Sequence, residues 1–246
     1  MNFKKGFYLV LVFLVLVSLS STVLAETYIV GTNAGFEPFE YVEDGEIVGF
    51  DIDLINEIAE LQGFEVEIRD LDFASLISAL ASGTIDIVIA GMTITEERAD
   101  TVDFTSPYYE ANQAVIVRED SDMDLTVLFG DNNIGVQSGT TGDLWVDDNL
   151  ASAEILTGDV NFYESYVYMI TDLVNENIDA VVLDSPVAAR FSETRAVEVV
   201  AEIITGENYG IAVQKGNNEL LDLINEGLEE VETNGTMDEL LDKYFN

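Results

Sequence analysis

Two residues with opposite charge and suggestive surroundings stand out, Arg98 and Asp184. Arg98 ends the segment Ala90-Gly91-Met92-Thr93-Ile94-Thr95-Glu96-Glu97-Arg98. Small residues at Ala90 and Gly91 let a ligand reach the backbone. A helix is expected to begin near Thr95, so Arg98 lies about one turn inside it and can curl back over its N-terminus. A guanidinium fork beside free helix N–H groups suits a carboxylate; the same Arg98 equally suits a surface ion pair with Glu96, Glu97 or Asp100. Asp184 closes an apolar run, where its carboxylate can receive an ammonium group or cap the helix that starts at Ser185-Pro186. Gly139-Thr140-Thr141-Gly142 offers a second helix N-terminus carrying hydroxyls, or an ordinary loop; no G-K-[ST] follows, so it is not a phosphate-binding loop. Phe36 and Phe73 fall just past strand ends, where they wall an apolar slot or belong to the core.

These residues need a scaffold of alternating strands and helices. Thr27–Asn33 reads as a strand, and Tyr41–Val48 as a hairpin closed at Asp44-Gly45. Asp51 is placed to cap a helix in which Ile55, Ile58 and Ala59 share a face. Phe64–Asp70 alternates as a strand, Phe73–Ala81 is helical, and Ile85–Ile89 is an apolar strand of the kind buried in a parallel sheet. Ile77, Leu80, Ile85 and Asp86 recur 93 residues later as Ile170, Leu173, Ile178 and Asp179. This echo predicts two similar α/β lobes, each with a strand whose C-terminal end faces a common cleft. Ligands sit at such ends in open α/β sheets.

The N-terminus predicts export. Lys4 and Lys5 precede an apolar run from Phe7 to Val17, and Val23-Leu24-Ala25 supplies small residues for cleavage before Glu26. The run is short for a membrane span, which needs about 20 apolar residues. The chain has no cysteine, so it offers no disulfide and no lipid-acceptor thiol; a periplasmic location without a lipid anchor is expected. Loss of residues 1–25 removes two lysines and no acid, leaving seven basic against 48 acidic residues. That field excludes nucleic acid and anionic membrane as partners. It reads as a solvated, halophilic acidic surface, while 48% hydrophobic residues argue against a disordered acidic tail. No acidic run follows the EF-hand pattern, so neither a metal cage nor any other cofactor is expected.

Several motifs together resemble the polar amino-acid class of bacterial extracellular solute-binding proteins, family 3. They are Gly49-Phe50-Asp51-Ile52-Asp53-Leu54, the Ala90–Arg98 segment, Asp103-Phe104-Thr105-Ser106-Pro107-Tyr108-Tyr109 and Val136-Gln137-Ser138-Gly139-Thr140-Thr141. Ile178–Asp184, Tyr209-Gly210-Ile211-Ala212-Val213 and Asn234-Gly235-Thr236 complete the set. The resemblance runs through 26–246. It implies an α/β, two-lobed periplasmic-binding-protein (clamshell) fold of type II, with two crossing hinge strands near Glu110–Gln113 and Ile204–Glu207. Residues 1–25 would be the signal peptide, 26–110 with 206–246 lobe 1, and 111–205 lobe 2. It further implies that Arg98 grips an α-carboxylate, helped by backbone donors at Thr93 and Thr141. Asp184, the Gly91 carbonyl and the Thr93 hydroxyl would hold the α-ammonium, and Phe36 and Phe73 would sandwich the side chain. Asn33 and Gln137 occupy positions that set side-chain specificity. Both are neutral, which favours a neutral polar side chain such as glutamine.

The function expected from this resemblance is capture of an amino acid by a monomeric substrate-binding component for a membrane ABC permease, without catalysis. Two alternatives remain from the sequence. One is a dehydratase acting on prephenate or arogenate on the same scaffold; with no His or Cys in the mature chain its acid would be a carboxylate, and Glu37 is a candidate. The other is a solute sensor that docks to a separate membrane receptor.

Overall fold

A computed structural model describes residues 25–246; the expected signal peptide therefore lies almost wholly outside the described residues. The chain builds two sheets, each flanked by helices. In the first, strand β1 (Thr27–Thr32) leads through a hairpin, β2 (Tyr41–Glu43) and β3 (Glu46–Val48), into helix α1 (Phe50–Gln62). The hairpin turns at Asp44 and Gly45, both at positive φ, as a two-residue turn matching the strand twist requires. Then come β4 (Glu65–Asp70), α2 (Phe73–Ala81), β5 (Ile87–Val88), α3 (Glu96–Thr101) and β6 (Val102–Phe104).

The second sheet begins with the long strand β7 (Tyr109–Arg118), followed by β8 (Ile134–Gln137), α4 (Thr141–Val146) and β9 (Val160–Tyr163). It continues through α5 (Tyr166–Val174), β10 (Ala180–Asp184), α6 (Ser185–Thr194) and the second long strand β11 (Val197–Tyr209). The chain then returns to the first sheet with β12 (Ala212–Gln214) and packs α7 (Asn218–Asn234) and α8 (Thr236–Phe245) against α1. Strand order is β4-β1-β5-β12-β6 in one sheet and β11-β7-β10-β8-β9 in the other. Strands β4, β1 and β5, like β10, β8 and β9, run parallel. Strands β7 and β11 pair antiparallel and are the two connections between lobes.

The internal echo is structural. Asp86 and Asp179 do the same work: each carboxylate accepts the N–H of the residue beside it on the neighbouring strand, Ile29 at 2.8 Å and Asn133 at 2.7 Å. Each aspartate returns its own N–H to that residue's carbonyl. Two residues further along, Gly31 and Gly135 leave no room for a Cβ, which would press against Ile85 and Leu76 in one lobe and Ile178 and Met169 in the other. A helix therefore packs directly on the parallel strands in both halves. Consequently the ends of β1 and β8, carrying Asn33 and Gln137, face each other, as do the ends of β5 and β10.

Asp51 is not the helix cap that its position suggested. Helix α1 starts at Phe50 after Gly49 with no side-chain cap, and Asp51 sits fully buried in the first turn. One carboxylate oxygen accepts from the backbone N–H of Gly91 and the hydroxyl of Tyr108, both at 2.8 Å. Asp51 thus ties the loop after β5 to the core and fixes where Gly91 stands.

Candidate functional site

All ten residues singled out in the sequence line one cavity between the two lobes. The first lobe contributes Asn33 and Phe36 from the end of β1, Phe73 from the start of α2, and Ala90, Gly91, Thr93 and Arg98 from the segment after β5. The second contributes Gln137 from the end of β8, Thr141 from the start of α4 and Asp184 from the end of β10. Gly91 cannot be exchanged cheaply: its φ is +52°, and a Cβ there would come 2.3 Å from the Phe36 ring. The ring packs closely against that backbone and on Phe39 and Tyr166, with centroids 5.4 and 5.3 Å away.

Helix α3 is capped by the Thr95 hydroxyl, which accepts from the N–H of Arg98 at 3.2 Å. This puts Arg98 where its side chain turns back over the helix start. Its guanidinium donates to the carbonyl of Thr93 at 2.6 Å and, across the cleft, to that of Gly139 at 3.0 Å. It also stacks over Phe73 at 5.4 Å from the ring centroid, a cation–π geometry. The surface ion pair with Glu96, Glu97 or Asp100 does not form among the described residues. Burial lowers the Arg98 pKa, and Asp184 and Glu207 partly offset this by favouring its charge.

Asp184 makes no side-chain cap to α6, although Pro186 occupies the first turn of that helix. Its carboxylate, 5% exposed, accepts from the Gln113 amide at 2.8 Å. Burial, and then repulsion by Glu207, push its pKa up to about 7. A carboxylate held at this cost is a ready acceptor for a cation. The Gly139–Gly142 turn is a true helix start, since the Thr140 hydroxyl accepts from the N–H of Asp143 at 3.2 Å.

The lobes touch directly. Gln137 donates its amide to Asn33 at 2.8 Å and to the Glu164 carbonyl at 2.9 Å. Arg190 and Glu37 form an ion pair at 2.8 Å across the rim. That pair places Glu37 in a second cavity of about 800 Å³ rather than in the first, so the group suspected of acid–base work does not line the central site. The central cavity itself measures about 10 Å³, room for one water molecule.

Two lining residues escaped the sequence reading, Glu40 and Tyr166, while Thr140 entered it only as part of the Gly139–Gly142 turn. Glu40 changes the electrostatics most. It is 1% exposed, and among the described residues its carboxyl has no donor, only the neighbouring Asp51 carboxyl, to which a protonated Glu40 would donate. Burial and the neighbouring Asp51 raise its pKa well above the usual carboxylate range. The specificity end is therefore not the uncharged surface that Asn33 and Gln137 alone suggested, but one with a titratable acid behind it. The signal available was Pro38-Phe39-Glu40-Tyr41, an acid set between aromatics ahead of a turn.

This geometry recurs in known proteins. Residues 28–246 match the family described as bacterial extracellular solute-binding proteins, family 3. The chain is 35% identical over 229 residues to the probable histidine-binding protein of Neisseria gonorrhoeae, covering 89% of this chain and 83% of that one. It is 34% identical over 228 residues to ABC transporter arginine-binding protein 1 of Escherichia coli (strain K12), covering 90% and 91%. Among solved structures, an ancestral arginine-binding protein bound to arginine superposes with a TM-score of 0.84 at 43% identity, covering 89% of this chain and 98% of that chain. An ancestral arginine-binding protein bound to glutamine gives 0.83 at 43%, covering 90% and 99%. With its two lobes, its pair of connecting strands and a charged cleft between them, this chain belongs to the bacterial extracellular solute-binding proteins of family 3.

Proposed function

We propose that the chain captures a free amino acid outside the cytoplasmic membrane, in the periplasm, and hands it to a membrane ABC permease. In this reading the side chain of the ligand ends in N–H donors, arginine first and glutamine second. The observation that carries it is the buried Glu40 carboxyl lining the cavity, which has no partner among the described residues but the neighbouring Asp51. An incoming guanidinium would favour its ionised form and match that carboxylate bidentately. A terminal amide offers fewer donors and no charge, and the neutral Asn33 and Gln137 suit it. The ancestral relatives bound to arginine and to glutamine are consistent with both.

The main-chain end of the ligand follows from charge. Arg98 and the helix start at Thr141 belong to the carboxylate, Asp184 to the ammonium, and Phe36 and Phe73 enclose the side chain. Because the two charged groups come from different lobes, a zwitterion satisfies both only when the cleft is shut. The ligand then shifts the open–closed equilibrium by its differential affinity. The lobe boundaries that serve this motion are 26–110 with 206–246, and 111–205.

Calorimetry against the standard amino acids tests the reading: arginine, glutamine or a close congener binds reversibly at one site with no product formed. Glu40→Gln is expected to weaken arginine by about tenfold or more, as for a lost charge-assisted hydrogen bond, with little loss for glutamine. If no amino acid binds below about the millimolar range, the proposal fails. A second reading, elimination from prephenate or arogenate, draws support from the proton that Glu40 holds beside the cavity; phenylalanine-type product from either substrate would promote it.

A further inference from the structure

Glu207 was not among the residues assigned to the ligand, yet it holds lining residues of both lobes, Thr93 and Thr141. It stands on β11 just past a bulge. Ile203 faces Gln113 on β7, whereas Glu207 faces Ala111, so the intervening residues are thrown out of register. The bulge is locked by Asn112, whose side-chain Oδ1 accepts from the N–H groups of Thr205 at 3.1 Å and Gly206 at 3.0 Å. Bulges beside functional sites change which neighbours a side chain meets, and this one sets Glu207 opposite Ala111, within reach of both lobes.

There a single carboxylate oxygen takes two hydroxyls, one from each lobe. Thr93 donates to Oε2 at 2.8 Å, and Thr141 donates to the same atom. The other oxygen accepts from the Gln113 amide at 3.1 Å, the amide that also donates to Asp184. A carboxylate can only accept, and a threonine hydroxyl has one proton. Both hydroxyl protons are therefore committed to Glu207, and what Thr93 and Thr141 present to the cavity they line is lone pairs. Asp184 presents lone pairs as well.

We propose that Glu207 is a positioning residue: it fixes the Thr93 and Thr141 hydroxyls as acceptors, so that with Asp184 they form an all-acceptor seat for the ligand's ammonium group. The inference rests on the amino-acid reading and adds to it the reason why the ammonium end goes to this corner. A carboxylate placed there would meet lone pairs on three sides, so the ligand is read in one direction only. Arg98 and the backbone N–H groups then remain for its carboxylate.

Glu207→Gln tests this at constant shape. If the new amide keeps its oxygen toward the threonines, its NH2 faces the Gln113 NH2. If it reverses, a donor faces both hydroxyls and their protons turn into the cleft. Wild type and variant are titrated with L-arginine and L-glutamine, and with their desamino counterparts 5-guanidinopentanoate and glutaramate, which lack only the ammonium. The variant is expected to lose about tenfold or more for the amino acid and less than about threefold for its desamino counterpart. Thr141→Val should reproduce part of this loss, and the double variant should fall short of the product of the two by about fivefold. Equal weakening of amino and desamino ligands assigns Glu207 a purely structural role and overturns the proposal, as does a multiplicative double variant. If wild type binds neither amino acid, the amino-acid reading fails first and takes this inference with it, a result visible before any variant is made.

Discussion

Asp184→Asn should make the ligand-free protein more stable while crippling its binding. The Asp184 pKa rises from 3.8 to about 7, first through burial and then through Glu207. The folded state therefore holds a proton between about pH 4 and 7 that the unfolded chain has released. Stability is favoured at the acid end, falls as pH rises through this window, and levels off above it. Three pKa units correspond to about 4 kcal/mol of penalty for the ionised carboxylate at pH 8. Asparagine fills the same space without a charge. It weakens the hydrogen bond from Gln113 by about 1 kcal/mol, leaving a net gain of about 2–3 kcal/mol. For a chain of this size that corresponds to an increase in Tm of about 5–10 °C. Losing the partner of a buried ammonium costs about 2–5 kcal/mol of binding, a weakening of at least about thirtyfold. Thermal unfolding at pH 5 and pH 8 at fixed ionic strength, with and without the preferred amino acid, reads all of this. The variant's advantage should be largest at pH 8 and shrink toward pH 5, and its ligand-induced shift should largely vanish. A variant less stable than wild type at pH 8 would refute the idea that the carboxylate is held at a cost. An advantage independent of pH would refute its electrostatic origin.

Arg98→Ala should abolish the thermal shift given by amino acids, because no other cation among the described residues lines the cavity; an unchanged shift, read by thermal unfolding across a ligand series, would move the carboxylate site elsewhere. Gly91→Ala should lower stability by about 1–3 kcal/mol, since the new methyl meets the Phe36 ring and the backbone is held at positive φ; urea unfolding measures it, and a neutral result would show that Phe36 is free to move. Ligand affinity of wild type should fall as pH drops below about 7, because protonated Asp184 no longer offers a full charge to the ammonium; calorimetry from pH 5 to 8 checks the direction.

What the sequence made legible was what depends on local order. The hairpin at Asp44-Gly45 and the strand alternations involve residues close in sequence, whereas the repeat of Asp86 in Asp179 was legible as a recurrence and not through its partners, Ile29 and Asn133, which lie 57 and 46 residues away. Arg98 was legible in position but not in role, since its partners are carbonyls of Thr93 and, across the cleft, Gly139. Asp51 was misread for the same reason: a cap is a local explanation, whereas its actual partners, Gly91 and Tyr108, are 40 and 57 residues away. Glu40 was hidden by composition. One acid among 48 reads as surface until the loop from Phe36 folds it beneath the cleft.

Glu207 shows the limit most clearly. Strand alternation assigns each side chain to a face and puts Glu207 on that of Ile203, but the advance of four residues from Ile203 to Glu207 on β11 is matched by only two on β7, from Gln113 to Ala111, so the pairing slips by two. A slip of two keeps the face and changes which neighbours each later side chain meets. The lock on the bulge is a single amide, Asn112, on the partner strand, and nothing near residue 207 in the sequence announces it. The part of this site that reads the ligand was thus visible as motifs, while the part that sets the polarity of those motifs depends on register between two distant strands. Those strands are also the ones that must flex when the lobes part. On the proposed opening Glu207 should lose one or both threonines and regain them on closing, so the acceptor seat for the ammonium is expected to be complete only in the shut cleft.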